Sequence, residues 1–231
     1  MSYIQFAYKQ SSYMDSGMSH PPFAVTVDLV LMTVTGSGLA VLLQRRAEEP
    51  FAGHLALPGG FVGIDEPLDA AARRVLAAKA GFAPGEGGWL EQLYTFGDPA
   101  RDPRMRTVSV AYFALLPEER LASAVGDADD LMLAPVGDLP EPLAFDHAAI
   151  LCAAQDRLRG KLDYTPVALA LLPDAFTLRD LQGVHEAILG KSLNKPAFRR
   201  RMIDTGWIEA TGTREAVSNF RPAELYRRKP S

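Results

Sequence analysis

The stretch that decides the fold is GFVGIDEPLDAAARRVLAAKAGF, Gly60 to Phe82. Asp65, Glu66 and Pro67 mark a helix start: a capping residue, an acid at the positive end of the helix dipole, and a proline where its missing N–H costs nothing. An alanine-rich run follows, and Gly81 supplies a C-terminal stop. Five residues separate Gly60 from Glu66 and seven separate Glu66 from Arg74, with Leu76, Gly81 and Phe82 completing a spaced set. Val75, Ala78 and Lys79 are three and four residues apart, so they share one helix face.

Working outward, Phe23–Thr35 is rich in β-branched and apolar residues and reads as a buried strand. Gly36-Ser37-Gly38 is a hairpin turn, and Leu39–Arg45 the returning strand. Leu90–Phe96, Thr107–Leu116 and Leu131–Val136 read as further strands, with a turn at Gly85–Gly88, and Phe145–Arg159 as a helix. This order predicts an α/β sandwich of mixed sheet and packed helices over residues 23–160, preceded by a flexible arm at 1–22. From 161 onward a proline-containing bridge, with Tyr164-Thr165-Pro166 as a candidate hinge, leads to a second unit. There Thr177 caps a helix to Leu189, Gly190 ends it, and Asn194 caps a second helix with Pro196 in its first turn. Trp207–Thr211 and Ala223–Arg228 then form a ribbon around a loop holding Arg214 and Phe220. Two short helices and a hairpin predict a winged helix-turn-helix rather than a helical cap.

The spaced set resembles the Nudix box, G-x5-E-x7-R-E-U-x-E-E-x-G-U with U a bulky apolar residue, and LALPGG, Leu55–Gly60, resembles the segment leading into it. The resemblance implies a Nudix α/β/α sandwich. The box's remaining acids fall on Val75, Ala78 and Lys79. Mg²⁺ needs carboxylate oxygens to bridge it to a diphosphate and activate water, and valine and alanine offer none. Lys79 would repel the metal and can attract phosphate directly. Glu66 alone cannot replace the cluster, and pairing with Arg74 or a helix-start role explains it equally. No metal and no catalytic residue is therefore expected.

Two other segments suggest a pocket that still binds. Residues 97–106 place Arg101, Arg104 and Arg106 around Asp102; guanidinium forks suit a diphosphate, while Asp102 can orient them or accept a ribose hydroxyl. A solvated charged turn accounts for the loop equally well. At the next helix start, Phe145 can stack on a base, Asp146 can be the N-cap, and His147 can bond a ligand. The expected effector contacts are thus Glu66, Arg74, Lys79, Arg101, Asp102, Arg104, Arg106, Phe145, Asp146 and His147.

Charge separates the two units. Residues 191–231 carry ten Lys/Arg against four Asp/Glu, a net +6 on a chain whose total is −4, so the remainder is −10. A basic tail on an acidic body points to nucleic acid. The apolar run Phe23–Val34 is too short to span a bilayer. A single cysteine, Cys152, fits a reducing cytoplasm, and His20, His54, His147 and His185 have no zinc spacing.

Over residues 23–228 the chain resembles the Nudix-related transcriptional regulators of NAD metabolism, through TVDLV at Thr26–Val30, LALPGGFV, TFGDP at Thr95–Pro99, Arg101-Asp-Pro-Arg104, Phe145-Asp-His147 and Phe198-Arg-Arg-Arg-Met202. Leu55 departs from the tryptophan that relatives often carry there. The resemblance implies a dimeric repressor that binds an operator in double-stranded DNA and senses ADP-ribose or a related nucleotide or sugar metabolite. Lys191, Asn194, Lys195, the exposed members of Arg199, Arg200 and Arg201, and Arg214 and Arg221 on the wing are the expected DNA contacts, with Phe198, Met202 and Ile203 as helix core. Trp207 is expected to pack within the wing. Two alternatives remain: a Nudix hydrolase in which Glu86 or Glu91 replaces the lost acids, and a metabolite-binding adaptor for an acidic protein.

Overall fold

The computed structural model describes residues 23–81, 88–126, 128–216 and 222–230. The expected arm at 1–22, Phe82, the turn at 85–87 with Glu86, and Phe220 and Arg221 lie outside the described residues.

The first unit is built on the long strand β1 (Ala24–Thr35), which turns back into β2 (Gly38–Arg45). The short strands β3 (Leu55–Ala56) and β4 (Gly59–Phe61) follow, then helix α1 (Leu68–Ala80). Next come β5 (Trp89–Phe96), β6 (Thr107–Leu115), helix α2 (Glu118–Gly126), β7 (Leu131–Pro135) and helix α3 (His147–Lys161). The sheet runs β3-β2-β1-β6-β5, with β4 on β1 and β7 on β2; only β1 and β6 pair in parallel among these.

Strand periodicity sorts β1 between two cores. Val27, Leu29 and Leu31 join the apolar cluster beneath α1, with Ala71, Ala72, Val75 and Leu76. Val30 and Met32 face the other cluster, with Ile150, Leu151, Ala154 and Leu158 of α3. The expected sandwich is therefore present, with helices on both faces of a mixed sheet.

Three local expectations change. Asp65 does not cap α1: Pro67 occupies the N-cap position, with no side-chain bond to the first turn. Glu66 folds back instead, accepting from the Gly63 N–H at 3.0 Å and from the Arg74 guanidinium at 2.7 and 2.8 Å. Helix α3 starts at His147 because Phe145 has a left-handed backbone, φ +55°, which a right-handed helix excludes. Gly81 does end α1 in the left-handed conformation, φ +59°.

The bridge at Tyr164-Thr165-Pro166, the candidate hinge, is tied back to α3. The Thr165 N–H and hydroxyl both bond the Lys161 carbonyl, and a 3₁₀ turn at Val167–Leu171 is buried throughout. These residues continue the α3-side cluster into Phe176, Leu178, Leu181, Val184 and Ile188, so both units share one apolar core.

In the second unit, strand β8 (Phe176–Thr177) leads into helix α4 (Leu178–Leu189). The Thr177 hydroxyl accepts from the Arg179 and Asp180 N–H groups, and Asp180 returns the bond to the Thr177 N–H at 2.8 Å: a capping box. Gly190 ends α4 with φ +66°, and the Glu186 carboxylate fastens the turn by accepting from the Leu193 N–H at 2.7 Å. Helix α5 (Lys195–Asp204) is capped by Asn194, whose side-chain oxygen takes the Ala197 N–H. Strands β9 (Ile208–Arg214) and β10 (Glu224–Arg228) form the wing, and β8 adds a third strand on β10. Phe198 and Met202 pack inward and Trp207 joins the core edge, as expected. Ile203 does not: 53% of it is exposed, because five residues of helical rotation turn it away from Phe198.

Candidate functional site

The sheet's α3-side face holds a cavity of about 370 Å³. Its floor begins with Asp28, a carboxylate inside β1 that is only 6% exposed. Asp28 accepts from the Ser109 hydroxyl at 2.5 Å and from the Arg101 guanidinium at 3.2 Å. Arg101 forks onto Asp146 at 2.9 and 2.7 Å. Burial opposes the Arg101 charge, but the Asp146 bonds and the Asp28 field outweigh it and raise its pKa. Asp146 stands at the N-cap position of α3, yet its carboxylate makes no cap bond; it is committed to Arg101.

His147 completes the floor. Its Nδ1 accepts from the Leu57 N–H at 2.9 Å, which leaves the ring proton on Nε2, facing Asp28 Oδ1 at 3.7 Å. Burial lowers the His147 pKa despite Asp28 and Asp146, so the ring is neutral at pH 7. The same bond ties the Leu-Pro-Gly-Gly segment to α3. Gly59 lies opposite Asp28 in the β1–β4 register, and a Cβ there would collide with the Asp28 carboxylate and the Val27 carbonyl. Glycine is what lets β4 approach.

Cations and aromatic rings line the rest. Arg104 forks onto Asp102 at 3.0 and 2.7 Å, and these bonds lower the Asp102 pKa against the opposing effect of burial. Arg46 bonds the Pro50 and Glu48 carbonyls, and burial, then repulsion from Arg104, lowers its pKa. Both guanidiniums lie over the Phe145 ring, at 4.7 Å for Arg46 and 5.7 Å for Arg104. Phe145 meets Phe51 edge-on at 4.9 Å, and both have positive φ, +55° and +65°. Such strain in non-glycine residues is held only where the surroundings enforce it; of the two, Phe145 lines the cavity.

Of the residues expected at the site, Arg101, Asp102, Arg104, Phe145 and His147 line the cavity, with Asp146 directly behind. Arg101 is a buried partner of two acids rather than an open fork. A base reaching Phe145 meets the guanidiniums first. Glu66, Arg74, Lys79 and Arg106 do not line the cavity. Glu66 and Arg74 hold each other, which keeps the Glu66 pKa at about 2, through the Arg74 hydrogen bonds first and the Gly63 N–H second. Lys79 stands 3.9 Å from Asp130, an acid on the approach to β7. Arg106 bonds the Asp98 and Thr107 carbonyls. Asp28, Gln44, Arg46, Gly59 and Phe61 also line the cavity and are not among the expected effector contacts, although TVDLV holds Asp28 and LALPGGFV holds Gly59 and Phe61. An acid within an apolar strand run was the available signal for Asp28.

The side chains do not fit the Nudix metal. Val75 is 4% exposed within the α1 cluster, Ala78 has no donor, and Lys79 is cationic. Among the described residues there is no group of three His, Cys, Asp or Glu able to hold an ion. Glu91 is occupied by Arg157 at 3.2 Å and Lys161 at 2.9 Å, so it does not replace the lost acids.

On the second unit, Lys191, Asn194, Lys195, Arg199, Arg200, Arg201 and Arg214 are all exposed. Arg201 turns toward the bridge, pairing with Asp163 at 2.9 Å. Arg214 bonds the Pro222 carbonyl at 3.1 Å. No helix among the described residues is long and apolar enough to cross a membrane.

A Nudix-type sandwich lacking its acidic cluster, joined to a helix-turn-helix with a basic wing, defines a Nudix-related transcriptional regulator. Residues 22–154 match the NUDIX domain family and residues 168–228 the NrtR DNA-binding winged helix domain. The chain belongs to the NrtR family. It is 38% identical over 223 residues, 95% of this chain and 85% of the relative, to the ADPR responsive transcriptional repressor NtrR of Acinetobacter baylyi. It is similar to Shewanella oneidensis NrtR, solved in complex with a 27mer DNA, with 38% identity, a TM-score of 0.81 and coverage of 89% of this chain and 93% of that one. The isolated NUDIX domain of the Shewanella protein, complexed with ADP ribose, matches at 35% identity and a TM-score of 0.52 over 64% of this chain and 98% of its own. An ADP-ribose pyrophosphatase of Methanocaldococcus jannaschii is 33% identical over 121 residues, 52% of this chain and 67% of the enzyme.

Proposed function

We propose that this chain is a DNA-binding repressor that releases or strengthens its operator grip on binding ADP-ribose, through a Nudix unit at 23–160 that binds without cutting. The winged helix at 161–231 carries the DNA contacts, and a cytoplasmic homodimer is the working form. The observation that carries the reading is a shaped cavity lined by Arg46, Arg104 and Phe145, beside a Nudix helix whose metal positions are Val75, Ala78 and Lys79. Arg46, which bonds the Pro50 and Glu48 carbonyls, supplies the diphosphate clamp together with Arg104. Floor residues Asp28 and His147 stand where a ribose hydroxyl can donate to an acid.

Titration of the full-length protein with ADP-ribose, with and without Mg²⁺, tests both halves of the proposal. Metal-independent binding with a change in affinity for the DNA upstream of its own gene is the expected result. Arg46→Gln should weaken ADP-ribose about 10- to 100-fold, the range for a lost charged hydrogen bond, and leave DNA affinity unchanged. The enzyme reading draws on the likeness to the archaeal pyrophosphatase; steady Mg²⁺-dependent release of AMP would establish it in place of the repressor.

A further inference from the structure

Helix α5 exposes an apolar residue on its outer side, Ile203, 53% exposed. Phe198 and Met202 fix the inner face, with Phe198 against the His185 ring of α4 at 5.0 Å. At 100° per residue, Arg200 lies opposite that inner face, with Pro196 and Asp204 about 40° and Ile203 about 60° to its sides; Pro196, Arg199, Arg200 and Ile203, spaced i, i+3, i+4 and i+7, form one stripe beside Asp204. All four are exposed, and Ile203 belongs to neither apolar cluster. Arg201 lies on the flank of the helix, held by Asp163 at 2.9 Å and over the Phe198 ring at 5.8 Å.

From this geometry we infer that Ile203 is a specificity-determining residue that reads the 5-methyl group of a thymine in the operator's major groove. The inference rests on the proposed DNA binding and deepens it. Ile203 sits beside Arg199 and Arg200, one helical turn back, within a segment of net +6, a surface that fits a polyanion and not an apolar protein partner. Within a major groove the base edges present donors and acceptors, and one apolar group, the thymine methyl. Arg199 and Arg200, with Arg200 paired to Asp204 at 3.7 Å on the exposed face, reach guanine edges or phosphates on either side. Arg201 is a junction residue and reads no base.

The test uses full-length protein and a duplex that it selects from a randomised library. Each thymine is replaced in turn by deoxyuridine, which removes the methyl and nothing else. Wild type should bind about fourfold more weakly at one thymine per half-site, the worth of one buried methyl. Ile203→Ala should bind both duplexes alike, and Ile203→Val should keep part of the discrimination. Indifference of the wild type to every replacement overturns the inference, as does undiminished discrimination in Ile203→Ala. A change of oligomeric state in Ile203→Ala with unaltered DNA affinity overturns it too, assigning the residue to a contact between copies. If no duplex is selected, the DNA reading itself fails, a result separable from all of these.

Discussion

Replacing Arg101 by methionine should be among the most damaging single changes in the first unit. Its side chain is 4% exposed and neutralises Asp28 and Asp146, whose side chains are 9% and 23% exposed. Methionine fills a similar volume but leaves two carboxylates facing each other across the cavity floor. Removing one partner of a buried ion pair costs about 3–5 kcal/mol, against under about 1 kcal/mol for a surface pair. At roughly 2–4 °C per kcal/mol for a chain of this size, the melting temperature should fall by about 6–20 °C. Urea unfolding at pH 7.5, followed by the fluorescence of Trp89 and Trp207, measures the loss as a lower midpoint at unchanged slope. Neutralising the partners as well, in the triple variant with Asp28→Asn and Asp146→Asn, should recover more than half of the loss, since the unpaired charges and not the missing contacts dominate it. A loss below about 1 kcal/mol, or no recovery in the triple variant, would refute the charge-balance account of the floor.

Other changes probe separate features. His185 is 2% exposed with an unpartnered Nδ1, and burial, with a smaller push from Arg201, lowers its pKa to about 4. A lowered histidine pKa means that the unfolded chain takes up the proton first, so stability is lost as pH falls from about 6.5 toward 4. The His185 share should reach about 2 kcal/mol by pH 5, and His185→Leu should flatten that part of a denaturation-versus-pH series. Gly59→Ala, which drives a methyl into the Asp28 carboxylate and the Val27 carbonyl, should cost about 1–3 kcal/mol in urea unfolding and weaken ADP-ribose in calorimetry. Thr177→Ala removes the hydroxyl that caps α4 and should cost about 1 kcal/mol, read by the same unfolding assay, with ligand affinity intact.

The fold was legible where local chemistry and period agree. Glycine stops, the Thr177 and Asn194 caps and the β-branched, apolar run of β1 place most elements within a residue or two. Helix α2 is hard to read from sequence because only Leu121 and Val125, one turn apart, reach the core, too short a stripe to stand out; the Pro117-Glu118-Glu119 start is its other signal. The site was legible as a set of chemical types and not as an arrangement. Arg101 and Arg104 look alike in sequence, yet one is a buried strut and the other lies at the cavity wall over two phenylalanines. That difference depends on Asp28, 73 residues away in the chain, which no local pattern connects to Arg101. Arg46 was hidden at the end of a strand, and its bonding to carbonyls is a property of the loop that follows.

The buried seam at Val167–Leu171 bears on how a message travels through the molecule. Helix α3 begins beside the cavity with His147 and ends at the seam, about 22 Å away at 1.5 Å per residue. A chain with one shared core has no elbow between sensor and reader. It behaves as a bell-crank: a tilt of α3 by about 5° at the cavity would swing its far end by about 2 Å, and the recognition helix would ride with it. In the proposed dimer, such a lever would change the spacing between two readers set on adjacent grooves, while each reader keeps its shape.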